Sequence, residues 1–279
     1  MAVRIIVDST ADMKKEVEER VEVIPLTLQF GDEEFIDGVT INSREFYEKL
    51  IESDVLPHTS QATPADYENK FNEIKQSGDS AVMISLASKL SGTYQSATIA
   101  AEDYDNIYVV DSDTVTIGTG VLVDYALKLV DNGLDAQSIA KELENQKKKI
   151  NIIALVDTLE YLKKGGRISK TVAFAGTLLN IKPVISLTEG EINILGKARG
   201  SKQANNLLVT EIEKAGGVDY SKPILLEYTG LSDTLLLKYI EDSAKLWKNM
   251  SERPEYTIVG SVIGTHVGPG AIAAAFFSI

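Results

Sequence analysis

The sequence predicts an α/β protein of two domains, in which a parallel α/β/α sheet domain precedes a second α/β domain with a mixed sheet. Short apolar runs at 4–7, 81–86 and 107–110 each end in hydroxyl or Asp residues and are followed by a helical segment. Such repeated strand and helix units are typical of a parallel sheet. In the second half, a Glu189-Gly190 turn joins two short apolar runs, which indicates some antiparallel pairing.

The first half also contains one further apolar run and several segments with helical spacing. The run at 23–30 predicts another strand. In the last helical segment, Ile139 and Leu143 stand four residues apart among Glu and Lys, so one helix face is apolar. The predicted helices of this half are 43–51, 64–76, 92–102, 117–131 and 136–148.

A new apolar run begins after Lys149, and the pattern of the chain changes there. We therefore place one domain at 1–149 and the other at 150–279, and we expect a ligand in the cleft between them. The predicted strands of the second half are 150–156, 183–187, 192–195, 223–228 and 256–263, and its predicted helices are 158–164, 201–214 and 233–248.

The composition excludes several classes of function. With 41 acidic and 28 basic residues among 279, the chain has a formal charge of −13, which disfavours nucleic acid and anionic membrane surfaces as partners. The absence of cysteine excludes disulfides and thiolate chemistry, and two histidines without cysteine argue against a structural zinc site. The amino-terminal residues lack the long apolar stretch of a signal peptide, so we expect a cytoplasmic protein.

One segment has the length and the apolar character of a membrane span. Residues 258–279 carry no Asp, Glu, Lys or Arg. The middle of this segment is interrupted by three glycines, Pro269 and His266. Lipid would leave backbone groups and an imidazole unsatisfied there. We therefore expect a strand, a loop and a second apolar element here, and no integral membrane segment.

Asp8 stands at the end of a predicted strand and allows two interpretations. As a carboxylate at a strand end it would bind Mg²⁺ or attack a phosphoryl group, together with Asp12 or Asp111, in a phosphotransferase or phosphatase. An aspartyl-phosphate phosphatase would need its second acid two residues on, where this chain has Thr10. Alternatively, Asp8 and Ser9 cap the helix that follows.

Hydroxyl side chains are concentrated in the stretch 88–97, which has no Asp, Glu, Arg or His. Ser91 follows a strand, and Gly92 lets the backbone come close to a bound group. A helix then begins, whose first amides are unsatisfied and favour an anion. The alternative is that Ser91 only caps this helix. The hydroxyls of the stretch are Ser91, Thr93, Tyr94 and Ser96.

Two other segments supply neutral donors. The loop 58–64 contains Thr59 and Ser60 before a helix, and the glycine-rich stretch 264–270 places His266 in what the sequence predicts to be a rigid loop. Neutral donors suit a carboxylate better than a phosphate, for which Arg or Lys would be expected nearby. If the three segments converge, a carboxylate is the expected ligand. His266 alone favours a structural histidine.

Five motifs, in order along the chain, give it a resemblance to the DegV family of bacterial fatty-acid-binding proteins. These motifs are Ile6-Val7-Asp8-Ser9-Thr10-Ala11-Asp12, Thr59-Ser60-Gln61, Leu90-Ser91-Gly92-Thr93-Tyr94-Gln95-Ser96-Ala97, Leu162-Lys163-Lys164-Gly165-Gly166-Arg167-Ile168-Ser169 and Gly264-Thr265-His266-Val267-Gly268-Pro269-Gly270. The resemblance implies a two-domain DegV-like fold that encloses one long-chain fatty acid, with its tail in an apolar tunnel.

The resemblance also implies the site. The carboxylate of the fatty acid would be met by Thr59, Ser91 and His266, with Ser60, Gly92 and Thr93 beside them. Ala62 stands where the family often has proline, so the backbone after Gln61 is expected to be less rigid. Arg167, Asp8 and Ser9 would support the site or a partner, although an exposed arginine at a helix end is the other interpretation of Arg167.

The resemblance finally implies a role in which this protein is not the catalyst. Family members of this kind hand the bound acid to a separate ATP-dependent fatty acid kinase, which makes acyl phosphate for phospholipid synthesis. No cofactor and no metal would be needed, and the bound fatty acid would be the only ligand. Burial of the tail suits this ligand, since each methylene contributes roughly 0.8 kcal/mol.

Overall fold

The computed structural model describes residues 2–168 and 181–279. Ser169, the last residue of the fourth motif, lies outside the described residues. The elements of the first half are β1 (Val3–Asp8), α1 (Lys15–Glu18), β2 (Glu22–Ile24), β3 (Thr27–Phe30), β4 (Glu33–Ile36), α2 (Ser43–Glu52), β5 (His58–Ser60), α3 (Pro64–Ser77), β6 (Ser80–Ser85), α4 (Thr93–Ala101), β7 (Ile107–Asp111), α5 (Thr116–Asp131) and α6 (Ala136–Gln146).

The second half alternates strands and helices around a larger sheet. Its elements are β8 (Ile150–Leu155), α7 (Glu160–Lys164), β9 (Ile181–Thr188), β10 (Glu191–Arg199), α8 (Ser201–Lys214), β11 (Leu225–Tyr228), α9 (Thr234–Asp242), α10 (Ala244–Trp247), β12 (Tyr256–Ile258), α11 (Ser261–Val267) and β13 (Ile272–Phe277). The boundary at residue 149 stays a prediction, although the two larger sheets draw their strands from opposite sides of it.

The predicted parallel sheet is confirmed. Its strand order is β2-β1-β6-β7, and all three neighbouring pairs run parallel. Ile6 and Met83 pack into a core cluster on one face of this sheet, while Val7 and Ile84 pack into another on the opposite face. Burial on both faces explains why these strands are continuous apolar runs in the sequence.

The single strand predicted at 23–30 is wrong. Pro25 separates β2 from β3, since proline has no backbone N–H to donate to a sheet. After this break, β3 joins a separate antiparallel sheet of order β4-β3-β5. This small sheet was not predicted, and it carries Thr59 on β5.

The second sheet is mixed, as predicted, with the order β10-β9-β8-β13-β11-β12. Only the pair of β11 and β12 is parallel. The turn between β9 and β10 has φ of 50° at Glu189 and 72° at Gly190. Positive φ at both central residues suits the tight hairpin that the sequence predicted.

Two predictions in the last third of the chain are wrong. The helix predicted at 233–248 is interrupted at Ser243, which separates α9 from α10. The strand predicted at 256–263 ends at Ile258, and residues from Ser261 form helix α11. A short apolar run is compatible with a buried helix or with a buried strand, so periodicity did not distinguish them. His266 therefore lies on a helix and not in a glycine loop.

The end of the chain forms β13, a central strand of the mixed sheet. In the part of the chain that the structure describes, no helix has the length and apolar character needed to cross a membrane. Helix α11 precedes β13 and packs against α2, β3 and β5, all of which belong to the first half. This packing brings His266 to the small sheet that carries Thr59.

Candidate functional site

Thr59 and His266 form the centre of the site. The Thr59 Oγ1 atom lies 2.9 Å from His266 Nε2. Burial, and to a lesser degree the charge of Arg167, lower the pKa of His266 to about 4, so the imidazole is neutral at pH 7. Its Nδ1 atom is buried and has no hydrogen-bond partner among the described residues.

The unpartnered Nδ1 indicates which nitrogen of His266 carries the proton. A buried N–H without a partner is rarer in proteins than a buried acceptor without one. The proton is therefore assigned to Nε2, which donates to Thr59 Oγ1. The hydroxyl hydrogen of Thr59 then remains available to a ligand.

Gly165 fixes the position of the imidazole from the other side. A Cβ atom added at Gly165 would lie 2.3 Å from His266 Nδ1, far inside van der Waals contact. The end of α7 therefore approaches the ring as closely as it does only because residue 165 is glycine. This contact gives a physical role to one glycine of the fourth motif.

Ser91 and Thr93 form a second hydroxyl pair. Their oxygens lie 2.8 Å apart, and the backbone N–H of Thr93 donates to Ser91 Oγ at 3.3 Å. Gly92 occupies the N-cap position of α4. Thr93 is fully buried, so its hydroxyl reaches Ser91 but does not line the cavity described below. Thr93 thus positions Ser91.

Gln61 joins the two hydroxyl segments, a role that the sequence did not predict. Its Nε2 atom donates to Ser96 Oγ at 2.9 Å. A Cβ atom added at Gly92 would lie 2.2 Å from Gln61 Oε1, so the glutamine side chain lies directly against the Gly92 backbone. Gln61 belongs to the second motif, and that was the signal available for it.

These groups surround one cavity of about 180 Å³. Of the residues that we predicted for the site, Thr59, Ser60, Ser91, Gly92, His266 and Arg167 line it. Ser60 and Arg167 are exposed, and most of the remaining lining residues are apolar. The other lining residues are Leu26, Gln61, Leu86, Leu90, Val115, Leu162, Ile192, Val262, Ile263 and Val267.

A second cavity of about 70 Å³ continues the first into the protein. Its surface is almost wholly apolar. Six side chains line both cavities and therefore lie where the two cavities meet. These are Leu90, Val115, Leu162, Ile192, Ile263 and Val267. The polar groups around His266 thus open onto an apolar interior.

Arg167 lies at the exposed rim of the first cavity. Its Nε donates to the Leu90 carbonyl oxygen at 3.2 Å, and its Nη1 donates to the Gly165 carbonyl oxygen at 2.6 Å. Both contacts use backbone oxygens and leave the guanidinium charge without a carboxylate partner in these bonds. The charge is close enough to His266 to lower the pKa of the imidazole.

Asp8 does not line the cavity, but it holds a residue that does. It is fully buried and accepts four hydrogen bonds, from the Thr10 N–H and hydroxyl, from the Ser85 hydroxyl and, at 2.8 Å, from the Leu86 N–H. Burial raises the pKa of Asp8, and these bonds oppose that shift. Leu86 lines the cavity, so Asp8 supports the cavity wall through this bond without lining the cavity itself.

Ser9 has a similar place. Its hydroxyl donates to Asp37 Oδ2 at 2.8 Å and accepts from the N–H of Leu26, another lining residue, at 3.0 Å. Neither Asp8 nor Ser9 caps α1, whose N-cap is Lys14 without a side-chain cap bond. The capping interpretation is therefore wrong.

The acids of the phosphotransferase alternative do not converge. Asp12 binds Thr116, whereas Asp111 accepts from the N–H groups of Ser88 and Asp113. Within residues 2–168 and 181–279, no group of three or more His, Asp or Glu is arranged to hold a metal ion. The full burial of Asp8 also leaves no surface for a phosphoryl group to approach.

Comparisons with known proteins place the chain in one family. A family model described as "Uncharacterised protein, DegV family" matches residues 2–278. A DegV domain-containing protein of Caldanaerobacter subterraneus is 33% identical over 281 residues, with 99% of this chain and 98% of the relative covered.

Two similar proteins of known structure share the fold of this chain and are themselves described as binding fatty acids. A DegV family protein of Thermus thermophilus, described for its fatty acid binding, has a TM-score of 0.88 and 29% identity, and all of both chains is covered. A Bacillus subtilis DegV described as a fatty acid binding protein has a TM-score of 0.82 and 31% identity, with 99% of this chain and 98% of that chain covered.

Proposed function

This chain belongs to the DegV family, and from that premise we propose that it binds one long-chain fatty acid. The carboxylate lies among Thr59, Ser91 and His266, and the tail enters the apolar cavity behind them. The observation that carries this proposal is the polar pair of Thr59 and His266 at the mouth of an otherwise apolar interior. The similar proteins of Thermus thermophilus and Bacillus subtilis, described as binding fatty acids, support it.

The hydroxyl pairs explain how a carboxylate is held without a buried cation. His266 Nε2–H donates to Thr59 Oγ1, and the Thr59 hydroxyl donates to one carboxylate oxygen. Thr93 in the same way donates to Ser91 Oγ, and the Ser91 hydroxyl donates to the carboxylate. Each chain of two bonds polarises its terminal donor, so the donors are stronger than isolated hydroxyls. His266 and Thr93 are thus positioning residues.

The energetics of such a ligand require little from the polar groups. Each methylene removed from water contributes roughly 0.8 kcal/mol, so ten of them supply about 8 kcal/mol before entropic costs. The headgroup contacts need only offset the desolvation of the carboxylate. The charge of Arg167 at the rim favours the anionic form of the fatty acid headgroup. Because Arg167 is exposed, the headgroup end lies near solvent.

We also propose that the protein is a carrier and not a catalyst. It presents the carboxylate to a separate ATP-dependent fatty acid kinase, where a carboxylate oxygen attacks the γ-phosphorus of ATP and ADP leaves. The exposure of Ser60 and Arg167 at the headgroup end supports this step, because a partner enzyme would have to reach that end. The resemblance to the family supplies the identity of the partner.

The direct test is to purify the protein, extract bound lipid and identify it by mass spectrometry. Delipidated protein is then titrated with a radiolabelled long-chain fatty acid. We expect one fatty acid per chain in both experiments. A protein that carries no lipid and does not bind added fatty acid would overturn the proposal.

A further inference from the structure

An acidic side chain ends an apolar row across the mixed sheet. Glu227 on β11 pairs in register with Ala273 on β13, which pairs with Ala154 on β8, which pairs with Ile185 on β9. Directly paired residues point to the same face of a sheet. All four side chains line the inner apolar cavity, so this row is part of the cavity floor.

The strand order of the sheet shows how far Glu227 lies from the residues that line both cavities. Ile192 on β10 lines both cavities, whereas Glu227 lines only the inner one. Glu227 on β11 is four strand spacings away in the order β10-β9-β8-β13-β11, which corresponds to roughly 19 Å. Val259, which directly follows β12 and donates its N–H to the Tyr228 carbonyl oxygen at 3.0 Å, also lines the inner cavity on this side. Glu227 therefore lies in the inner cavity, four strands away from the edge at which Ile192 lines both cavities.

Glu227 is held rigidly in this position. Its Oε2 atom contacts the Thr116 hydroxyl, and the same hydroxyl contacts Asp12 Oδ2. Asp12 is fixed in turn by the Gly260 N–H, 2.9 Å from Oδ1. These contacts connect β11 to residues of the first half, and Glu227 is only 5% exposed.

Hydrogen-bond counting shows that the two acids share a proton. The Thr116 hydroxyl has a single hydrogen and cannot donate to both carboxylates, so one carboxyl must be protonated and donate to Thr116. Burial raises the pKa of Glu227 to about 7 and also raises the pKa of Asp12, in agreement with this count. The polar atoms of Glu227 are thus satisfied within the protein.

We propose that Glu227 is the residue that sets the maximum chain length of the bound acyl group. This inference rests on the proposed function. The methyl end of the tail stops against the Glu227 side chain, because a longer chain would have to separate a buried, hydrogen-bonded acid pair. An aliphatic side chain in the same place would yield more easily, since it has no such bonds to break.

The test uses delipidated protein and a series of saturated fatty acids of increasing length. For wild type, affinity is expected to rise by about fourfold with each added methylene and then to level off or fall at a limiting length. In Glu227→Ala the limit moves to longer chains, and Glu227→Asp moves it by a smaller step. Glu227→Gln keeps the side-chain size and the wild-type limit.

The outcomes separate this inference from the proposed function. If neither wild type nor variants bind any fatty acid, the proposed function fails. If all bind but Glu227→Ala and Glu227→Asp keep the wild-type limit, the inference about Glu227 is overturned. If Glu227→Ala does not fold, the limiting chain length of Glu227→Asp, which preserves the acid, tests the inference instead. Because the Gln amide can still donate to the Thr116 hydroxyl, a shifted limit in Glu227→Gln would also overturn the inference.

Discussion

The Thr59 hydroxyl lies 2.9 Å from the His266 Nε2 atom, although 207 positions separate the two residues in sequence. Thr59 is on β5 of the small antiparallel sheet, and His266 is on α11, which leads into the mixed sheet. The pair therefore exists only when the two halves of the chain are packed together. Headgroup binding and the packing of α11 are expected to stabilise each other.

Replacement of Thr59 tests the headgroup directly. In Thr59→Val the shape is retained, but His266 Nε2–H loses its acceptor and the carboxylate loses a donor. A hydrogen bond to a charged group contributes about 1.5–3 kcal/mol, so fatty acid affinity is expected to fall by roughly tenfold or more. Titration with a labelled fatty acid measures this. Thr59→Ser keeps the hydroxyl as the matched control and should retain most of the affinity.

Ser91 supplies the second donor and allows a test of additivity. Ser91→Ala should also weaken retention of the fatty acid, and Ser91→Ala combined with Thr59→Ala should weaken it further. Both hydroxyls would donate to the same carboxylate, so the two losses are expected to be coupled and not simply additive. Unchanged retention in the double variant would contradict the headgroup site.

Much of the site could be predicted because its residues lie in short motifs next to predicted strands. The segments of Thr59, Ser91 and Gly92 indicated neutral donors, the family resemblance implied their place at a carboxylate, and the structure places all three around one cavity. The helical position of His266 could not be predicted. The run before it is buried on all sides, so it has neither helical nor strand periodicity.

Other features were missed because they depend on contacts between distant segments. The closeness of Gln61 to the Gly92 backbone joins two segments that are distant in sequence, which no local pattern encodes. Glu227 looked like an ordinary polar residue near the end of a strand. Its burial follows from the partners Thr116 and Asp12, more than 100 positions away.

Gly165 offers a test of the position of the imidazole. Its φ of −72° is compatible with alanine, so the main effect of Gly165→Ala is the clash of its Cβ with His266 Nδ1. We expect the ring to move and fatty acid affinity to fall, with little change in secondary structure by circular dichroism. Gly166→Asn is the neighbouring control, because Gly166 has φ of 72°, which Asn tolerates, and no atom near its Cβ position. Equal affinity in both variants would contradict this role.

Asp8 is expected to matter for stability. All four groups that contact it are donors, so Asp8→Asn would place an amide N–H₂ against at least one of them. Loss of these bonds at a buried site should cost about 1–3 kcal/mol and lower the melting temperature. Thermal unfolding of delipidated protein measures this, and Asp32→Asn at an exposed position is the control. An unchanged melting temperature would contradict the structural role.

The depressed pKa of His266 predicts a loss of stability on acidification. The ordinary value for histidine is 6.5, and the folded protein lowers it to about 4. Between these values the unfolded chain binds a proton that the folded chain does not, so the free energy of unfolding falls as pH falls through this window. Above pH 6.5 His266 contributes no pH dependence. The loss should approach, at most, about 3 kcal/mol near pH 4.

Glu227 has the opposite effect on the pH dependence of stability, and this effect must be separated from that of His266. Its pKa is raised from 4.5 to about 7, so across that range the folded protein holds the extra proton and stability falls as pH rises. A comparison of wild type with His266→Gln cancels this contribution, because Glu227 is present in both. We expect the stability difference between the two proteins to shift in favour of His266→Gln as pH falls from 6.5 to 4. A difference that stays constant over this range, measured by denaturant unfolding, would show that His266 is not held neutral by burial.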